Sequence, residues 1–175
     1  MEPRHRDTDA DGLSPTRSGS GRAIVIGPYR RRTPVRATAP QKPQNERAPD
    51  ARLEEAVGLA RAIDLEVVQS GIVPINQIRP ATYMGTGKVD EIAGLVKSLE
   101  ASIVVADCAL SPVQQRNLEK AWGAKVLDRT GLILEIFGRR ARTKEGALQV
   151  EHAHLTYQRS RLVKSWTHLE RQRGG

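Results

Sequence analysis

The sequence is poor in the residues that hold secreted and membrane proteins together. One cysteine, Cys108, occurs in 175 residues, which excludes an internal disulfide framework and suits a reducing cytosol. Aromatic residues make up 3% and hydrophobic residues 38%, so a core has to be aliphatic, which favours packed α/β layers over an aromatic-rich sandwich. No stretch approaches the roughly 18 apolar residues of a membrane span. Residues 1–20 lack the apolar centre of a signal peptide, and Asp7, Asp9 and Asp11 argue against an acid-poor transit peptide. A cytoplasmic protein is expected. Residues 51–138 contain no histidine, so Cys108 has no imidazole base there and reads as a buried, inert thiol. No paired-carboxylate site stands out.

What the chain does have is positive charge, unevenly placed. It carries 28 Lys and Arg against 20 Asp and Glu, a net +8. Residues 1–50 hold 10 basic and 6 acidic side chains, residues 51–138 hold 9 and 11, and residues 139–175 hold 9 and 3. The middle is near neutral and the ends are cationic, a layout that suits a polyanionic partner.

The C-terminal run from Thr143 organises the rest. Leu148, Leu155, Leu162 and Leu169 recur seven apart, and Val150 and Tyr157 repeat the same step. Such a repeat keeps one apolar seam along a helix, made to pack on a second helix. None follows before Gly174-Gly175, so residues 142–175 read as half of a helical hairpin ending in a glycine-rich tip. The uncovered seam predicts fraying or self-association of an otherwise monomeric chain.

Ahead of this arm, residues 1–21 read as a disordered tail. Residues 22–141 read as an α/β subdomain. Strand-like runs are Arg22–Gly27, Leu65–Gly71, Ser102–Ala106 and Lys125–Leu127, with a Pro-rich loop over 29–50 and an irregular stretch over 71–80. Helical spacing covers Ala51–Ile63 with Asp50 as its cap, a helix from near Thr86 with Asp90 and Glu91 in its first turns, a helix opened by the Ser111/Gln114 capping box and closed by Gly123, and Thr130–Ala141. Alternating strands and helices predict a small parallel sheet with flanking helices.

Gly85-Thr-Gly-Lys88 looks like part of a phosphate loop, and Gly85, Gly87 and Lys88 are the candidate phosphate-binding residues. The Walker A spacing fails, because Thr82 stands where its first glycine belongs and Val89 where its hydroxyl belongs. With those spacings absent, a tight structural turn is the better account of the run. His152 and His154 are two apart on a helix and point away from each other, which excludes a shared metal. Asp107, Ser111 and Asp128 sit at strand ends, where α/β ligand sites form, though capping and turn roles account for them. In the arm, Arg159, Arg161, Lys164, Arg171 and Arg173 combine with Trp166 and His168, a mixture able to hold phosphates and stack on unpaired bases. Two alternatives stand beside nucleic-acid binding: a nucleotide-binding α/β domain using Gly85–Lys88, and an interaction module using the leucine seam.

Pro80–Lys88 (PATYMGTGK), Leu110–Lys120 (LSPVQQRNLEK) and Val126–Phe137 (VLDRTGLILEIF), followed by Arg140–Gly146, Leu148–Glu151 and Trp166–Gly175, resemble the N-terminal region of the HflX family of translational GTPases. The resemblance covers about residues 22–175 and implies a parallel α/β subdomain followed by a long helical hairpin. It also implies binding to the large (50S) ribosomal subunit and its rRNA, with the hairpin tip, including Gly174 and Gly175, near the peptidyl-transferase region, and a role in splitting or rescuing stalled ribosomes. GTP and Mg2+ belong to the family's separate G domain. No Walker A, switch or guanine-specificity motif occurs in residues 1–175, so the expectation is a chain without the returning helix, without cofactor of its own and without GTP hydrolysis.

Overall fold

A computed structural model describes residues 21–31 and 48–173, with side chains described as far as 161. The elements are β1 (Arg22–Arg30), α1 (Pro49–Arg61), β2 (Glu66–Ile75), α2 (Thr86–Ser98), β3 (Ile103–Ala106), α3 (Pro112–Trp122), β4 (Lys125–Asp128), α4 (Arg129–Arg140) and α5 (Lys144–Arg173). The four strands form one sheet in the order β2-β1-β3-β4, and every neighbouring pair is parallel. The α/β class with a parallel sheet is as the sequence predicts. The expected tail over residues 1–20 and most of the Pro-rich loop, 32–47, lie outside the described residues.

Two strands run longer than the sequence indicates, for one reason. β1 continues past Gly27-Pro28 to Arg30, and β2 continues past Gly71 and Pro74 to Ile75, with the pair in register to Arg30 and Ile75. β2 is an edge strand, and beyond Ile26 β1 has a strand neighbour on one side only. Edges tolerate glycine and the missing proline N–H, so neither residue ends the ladder. Tyr29 and Arg30 are therefore strand residues, not loop residues.

The helix ends follow local chemistry. Ser111 Oγ accepts from Gln114 N and the Gln114 side chain accepts from Ser111 N, completing the capping box, while Gly123 closes α3 at φ 63°, a left-handed turn that glycine adopts without a Cβ clash. At α1 the cap falls on Ala48, not Asp50. Pro49 takes the first helical position, where its fixed φ suits the start, and Asp50 lies in the first turn, facing the dipole. Asp90 and Glu91 lie beyond the first turn of α2, which holds no acid. α4 opens at Arg129 because Asp128 caps it.

Alternating β1 side chains divide the core. Ile24 and Ile26 join Val104, Val126 and the α2 and α3 residues Val89, Ile92, Val96, Leu118 and Trp122 on one face. Val25 joins Val105 and the α1 and α4 residues Ala56, Ala60, Leu132 and Ile136 on the other. Trp122 Nε1 donates to Val89 O at 3.0 Å, tying α3 to α2. With helices on both faces the inner strands β1 and β3 are buried on both sides, which explains their aliphatic runs, while the edge strand β2 stays mostly exposed or half-buried. The chain passes from β1 outward to β2, then back across to β3 on the other side of β1. The sheet thus has a switch point between β1 and β3, and the carboxyl ends of those strands form a crevice there.

Thr143 Oγ1 accepts from Gly146 N at 3.0 Å and starts α5. The first half of α5 packs on α4 and α3. No helix among the described residues is long and apolar enough to cross a membrane.

Candidate nucleic-acid interface and the strand-end clusters

One face of α5 is docked and another is bare. Val150 and His154 approach the backbone of α4 at Gly138, where an added Cβ would lie 3.8 Å from Val150 Cγ1 and 3.9 Å from His154 Nε2. Tyr157 and Arg161 continue that face by helical steps and reach Asp128. Leu148 and Leu155 are 66% and 58% exposed. The heptad reading places Val150 and Tyr157 with the leucines. The structure separates them, because 150, 154, 157 and 161 form one stripe at 3.6-residue spacing that follows the surface of α4.

The arm's basic residues divide likewise. Arg159 is exposed, with Arg140, Arg142 and Lys144, while Arg139 pairs with Asp64 at 2.5 Å. Arg161, named from sequence among the RNA-contacting residues, is engaged within the protein: its Nη2 donates to Asp128 Oδ2 at 2.9 Å and its guanidinium stacks 4.0 Å over the Tyr157 ring. Lys164, Trp166, His168, Arg171 and Arg173 have side chains outside the described residues, as do Leu162 and Leu169, and Gly174 and Gly175 lie outside them altogether.

Asp128, 2% exposed, ends β4 and holds this junction. Its carboxylate accepts from Gly131 N at 2.8 Å, Leu110 N at 3.3 Å, the Tyr157 hydroxyl at 2.5 Å and Arg161. Burial first, then the Asp128 contact, raise the Tyr157 hydroxyl well above the ordinary phenol value, so it stays a donor. Gly131 makes room: a Cβ there would meet Asp128 Oδ1 and the Tyr157 oxygen, each at 3.3 Å.

One strand over, Asp107 follows β3 and is equally buried at 2%. The Tyr29 hydroxyl donates to it at 2.6 Å, Arg52 Nη2 at 3.4 Å, and Arg129 Nη1 in a close contact. Arg52 lies 4.2 Å over the Tyr29 ring, and Arg129 also meets Glu55 at 3.7 Å. Gly27 lets the Tyr29 ring fold back, since a Cβ at Gly27 would come within 2.5 Å of it. Around this cluster opens a cavity of about 410 Å³ whose lining includes Arg30, Arg52, Ile75, Ile78, Tyr83 and Arg129. Cys108 also borders it. Burial, then the nearby Asp128 and Asp107 charges, push the thiol up to about 12, so it is neutral near pH 7 and is no nucleophile. Ser111 and Asp128 are caps, as expected from sequence. Asp107 is not, and its partners Tyr29 and Arg52 lie 78 and 55 residues away, beyond any local motif.

Gly85 is the N-cap of α2, and Lys88 Nζ pairs with Glu91 at 2.5 Å. Thr82 Oγ1 donates to Met84 O within the preceding turn. With its lysine on a neighbouring acid and no hydroxyl after it, this run does not fit a Mg2+–nucleotide phosphate loop. Among the described residues no group of three or more His, Cys, Asp or Glu is placed to hold a metal.

Comparison with known proteins adds the following. Residues 50–138 match the family described as GTP-binding GTPase N-terminal, and residues 140–175 match the GTP-binding GTPase Middle Region. The chain is 56% identical over 123 residues to the GTPase HflX of Magnetococcus marinus, spanning 70% of this chain and 28% of that protein. It is 50% identical over 123 residues to the GTPase HflX of Escherichia coli, spanning 70% and 29%. It therefore covers under a third of the length of these relatives. Its fold superposes on a GDP-bound GTP-binding protein from Sulfolobus solfataricus with TM-score 0.60 at 22% identity, over 87% of this chain and 42% of that one.

Proposed function

The chain belongs to the HflX GTPase family, of which it carries the N-terminal and middle regions, and from that premise we propose that it is the ribosome-binding part of a cytoplasmic GTP-binding protein. Its partner is the large ribosomal subunit with its rRNA, and its role is to help split or rescue stalled ribosomes. GTP and Mg2+ serve a G domain elsewhere in such a protein, and residues 1–175 supply attachment.

The observation that carries this reading is the asymmetry of the arm. Residues 139–175 hold 9 basic and 3 acidic side chains, and α5 uses Val150, His154, Tyr157 and Arg161 to dock. Arg159 is left exposed with Lys164, Arg171 and Arg173 following in sequence. Arg161 drops out of the RNA-contacting set, because its charge is engaged by Asp128. Trp166 and His168, which precede Gly174 and Gly175 in sequence, are residue types that stack on unpaired bases. A cationic rod fixed at its base neutralises phosphates and releases counterions, so binding falls steeply with salt.

Co-sedimentation with purified 50S subunits at low and high salt tests it. Pelleting at low salt that weakens in an Arg159→Ala, Lys164→Ala, Arg171→Ala variant is expected. No pelleting at low salt counts against ribosome attachment.

A further inference from the structure

The cavity at the switch point is a second site, unrelated to the arm. It lies where the carboxyl ends of β1 and β3 diverge, the place in open α/β sheets where ligands bind. Its volume of about 410 Å³ is that of a small-molecule site. The chemistry of its lining is mixed. Arg30, Arg52 and Arg129 supply positive charge, and Ile75, Ile78 and Tyr83 supply apolar surface, with Arg30 beside Ile75 in the strand register.

The cationic wall is built, not incidental. Asp107 is buried to 2% exposure and pairs with Arg52 and Arg129, which fixes both side chains in the cavity lining while leaving them 38% and 40% exposed. Arg30, Arg52 and Arg129 all line the one space, with Arg52 lying 4.2 Å over the Tyr29 ring. Arg30 forms no ion pair with a carboxylate among the described residues. Asp107 and Glu55 together offset two of the three guanidinium charges, which leaves the site cationic by one, and Arg is the side chain suited to bidentate phosphate recognition. In the same lining Ile78 is 39% exposed, an apolar surface that a ligand body would cover.

We propose that this cavity binds a small phosphate monoester with a flat or apolar body, of about mononucleotide size, its phosphate held by Arg30, Arg52 and Arg129 and its body against Ile75, Ile78 and Tyr83. The site owes nothing to Gly85–Lys88 and does not depend on ribosome attachment, so either reading stands if the other fails.

The test is calorimetric titration of the full chain with the four ribonucleoside 5′-monophosphates, with adenosine and with inorganic pyrophosphate. At least one monophosphate is expected to bind saturably with Kd of about 1 mM or below. Adenosine, lacking phosphate, and pyrophosphate, lacking a body, are expected to bind about tenfold more weakly or not at all. Arg30→Ala, at an exposed position, and Arg52→Gln should each weaken the monophosphate about tenfold, with circular dichroism confirming that each variant is folded. Absence of saturable binding by every monophosphate overturns the proposal. So does adenosine or pyrophosphate binding as tightly as the monophosphate. Binding that survives Arg30→Ala, or that is lost in Lys88→Ala, places the site elsewhere and overturns it too.

Discussion

The ends of β3 and β4 carry the same three residue types put to different use. Asp107 and Asp128 follow or close adjacent strands and are each 2% exposed. Each accepts a tyrosine hydroxyl and at least one arginine. At Asp128 the remaining capacity goes to two backbone amides, of Gly131 and Leu110, and the tyrosine and arginine arrive from α5. That cluster is closed and its product is a fixed helix. At Asp107 no backbone amide takes part in the described bonds. Its arginines are 38% and 40% exposed and face a cavity. A buried carboxylate met by main-chain donors locks structure, while one met by half-exposed guanidinium groups presents charge to whatever enters.

Removing each carboxylate tests that contrast, and the largest effect is expected at Asp128. Asp128→Ala deletes the α4 cap and strands the Tyr157 hydroxyl and the 16%-exposed Arg161. Breaking a buried pair while its partner stays buried costs about 3–5 kcal/mol, a large part of a typical domain's stability. Chemical denaturation should show that loss, and hydrogen exchange should show α5 opening from α4. A loss below about 1 kcal/mol would mean that Asp128 is no more a lock than Asp107.

Asp107→Ala should cost less, about 1–3 kcal/mol. It leaves the Tyr29 hydroxyl without its acceptor, but Arg52 and Arg129 already reach water and relax into it. Protection of α5 should be unchanged. If denaturation gives equal losses at the two positions, partial exposure of the arginines is not what separates the clusters.

Much of this architecture was legible because it is local. The Ser111 box, Gly123, Thr143 and the aliphatic runs of β3 and β4 each announce themselves within a few residues, and alternation of strand and helix implies the parallel sheet. The true ends of β1 and β2 were hidden because Pro28, Gly71 and Pro74 break central strands, and nothing local tells that those segments are bordered on one side only. The Asp107 cluster was illegible because its members come from β1, α1, β3 and α4 and meet only when the sheet closes. The engagement of Arg161 by Asp128 was hidden for a related reason. In sequence it is one more charge in a basic run, and only its step of four from Tyr157 hints that the pair shares the docked stripe.

A finer probe of the closed cluster is Tyr157→Phe, which keeps the ring under Arg161 and removes the hydroxyl that donates to Asp128 and accepts from Arg161. About 1 kcal/mol is expected, with the exchange change confined to the contact between α4 and α5. Tyr29→Phe at the open cluster removes the equivalent bond, and a similar loss there would show that the tyrosines are alike even where the arginines are not.

The smallest effect should come from the other face of the same helix. Leu148 and Leu155 share α5 with Tyr157 yet are mostly exposed, so truncating them removes little apolar contact. Leu148→Ser with Leu155→Ser should change stability by no more than about 0.5 kcal/mol per site, the usual range for surface positions. Fully burying a leucine contributes about 1.5–3 kcal/mol, so a loss of that size would show that something covers these side chains in solution. Measuring the variant at two protein concentrations separates the two possible covers. A loss that grows with concentration identifies a second copy of the chain, and a constant loss identifies the chain itself. Either outcome would move the leucine face from the bare side of the arm to the docked side.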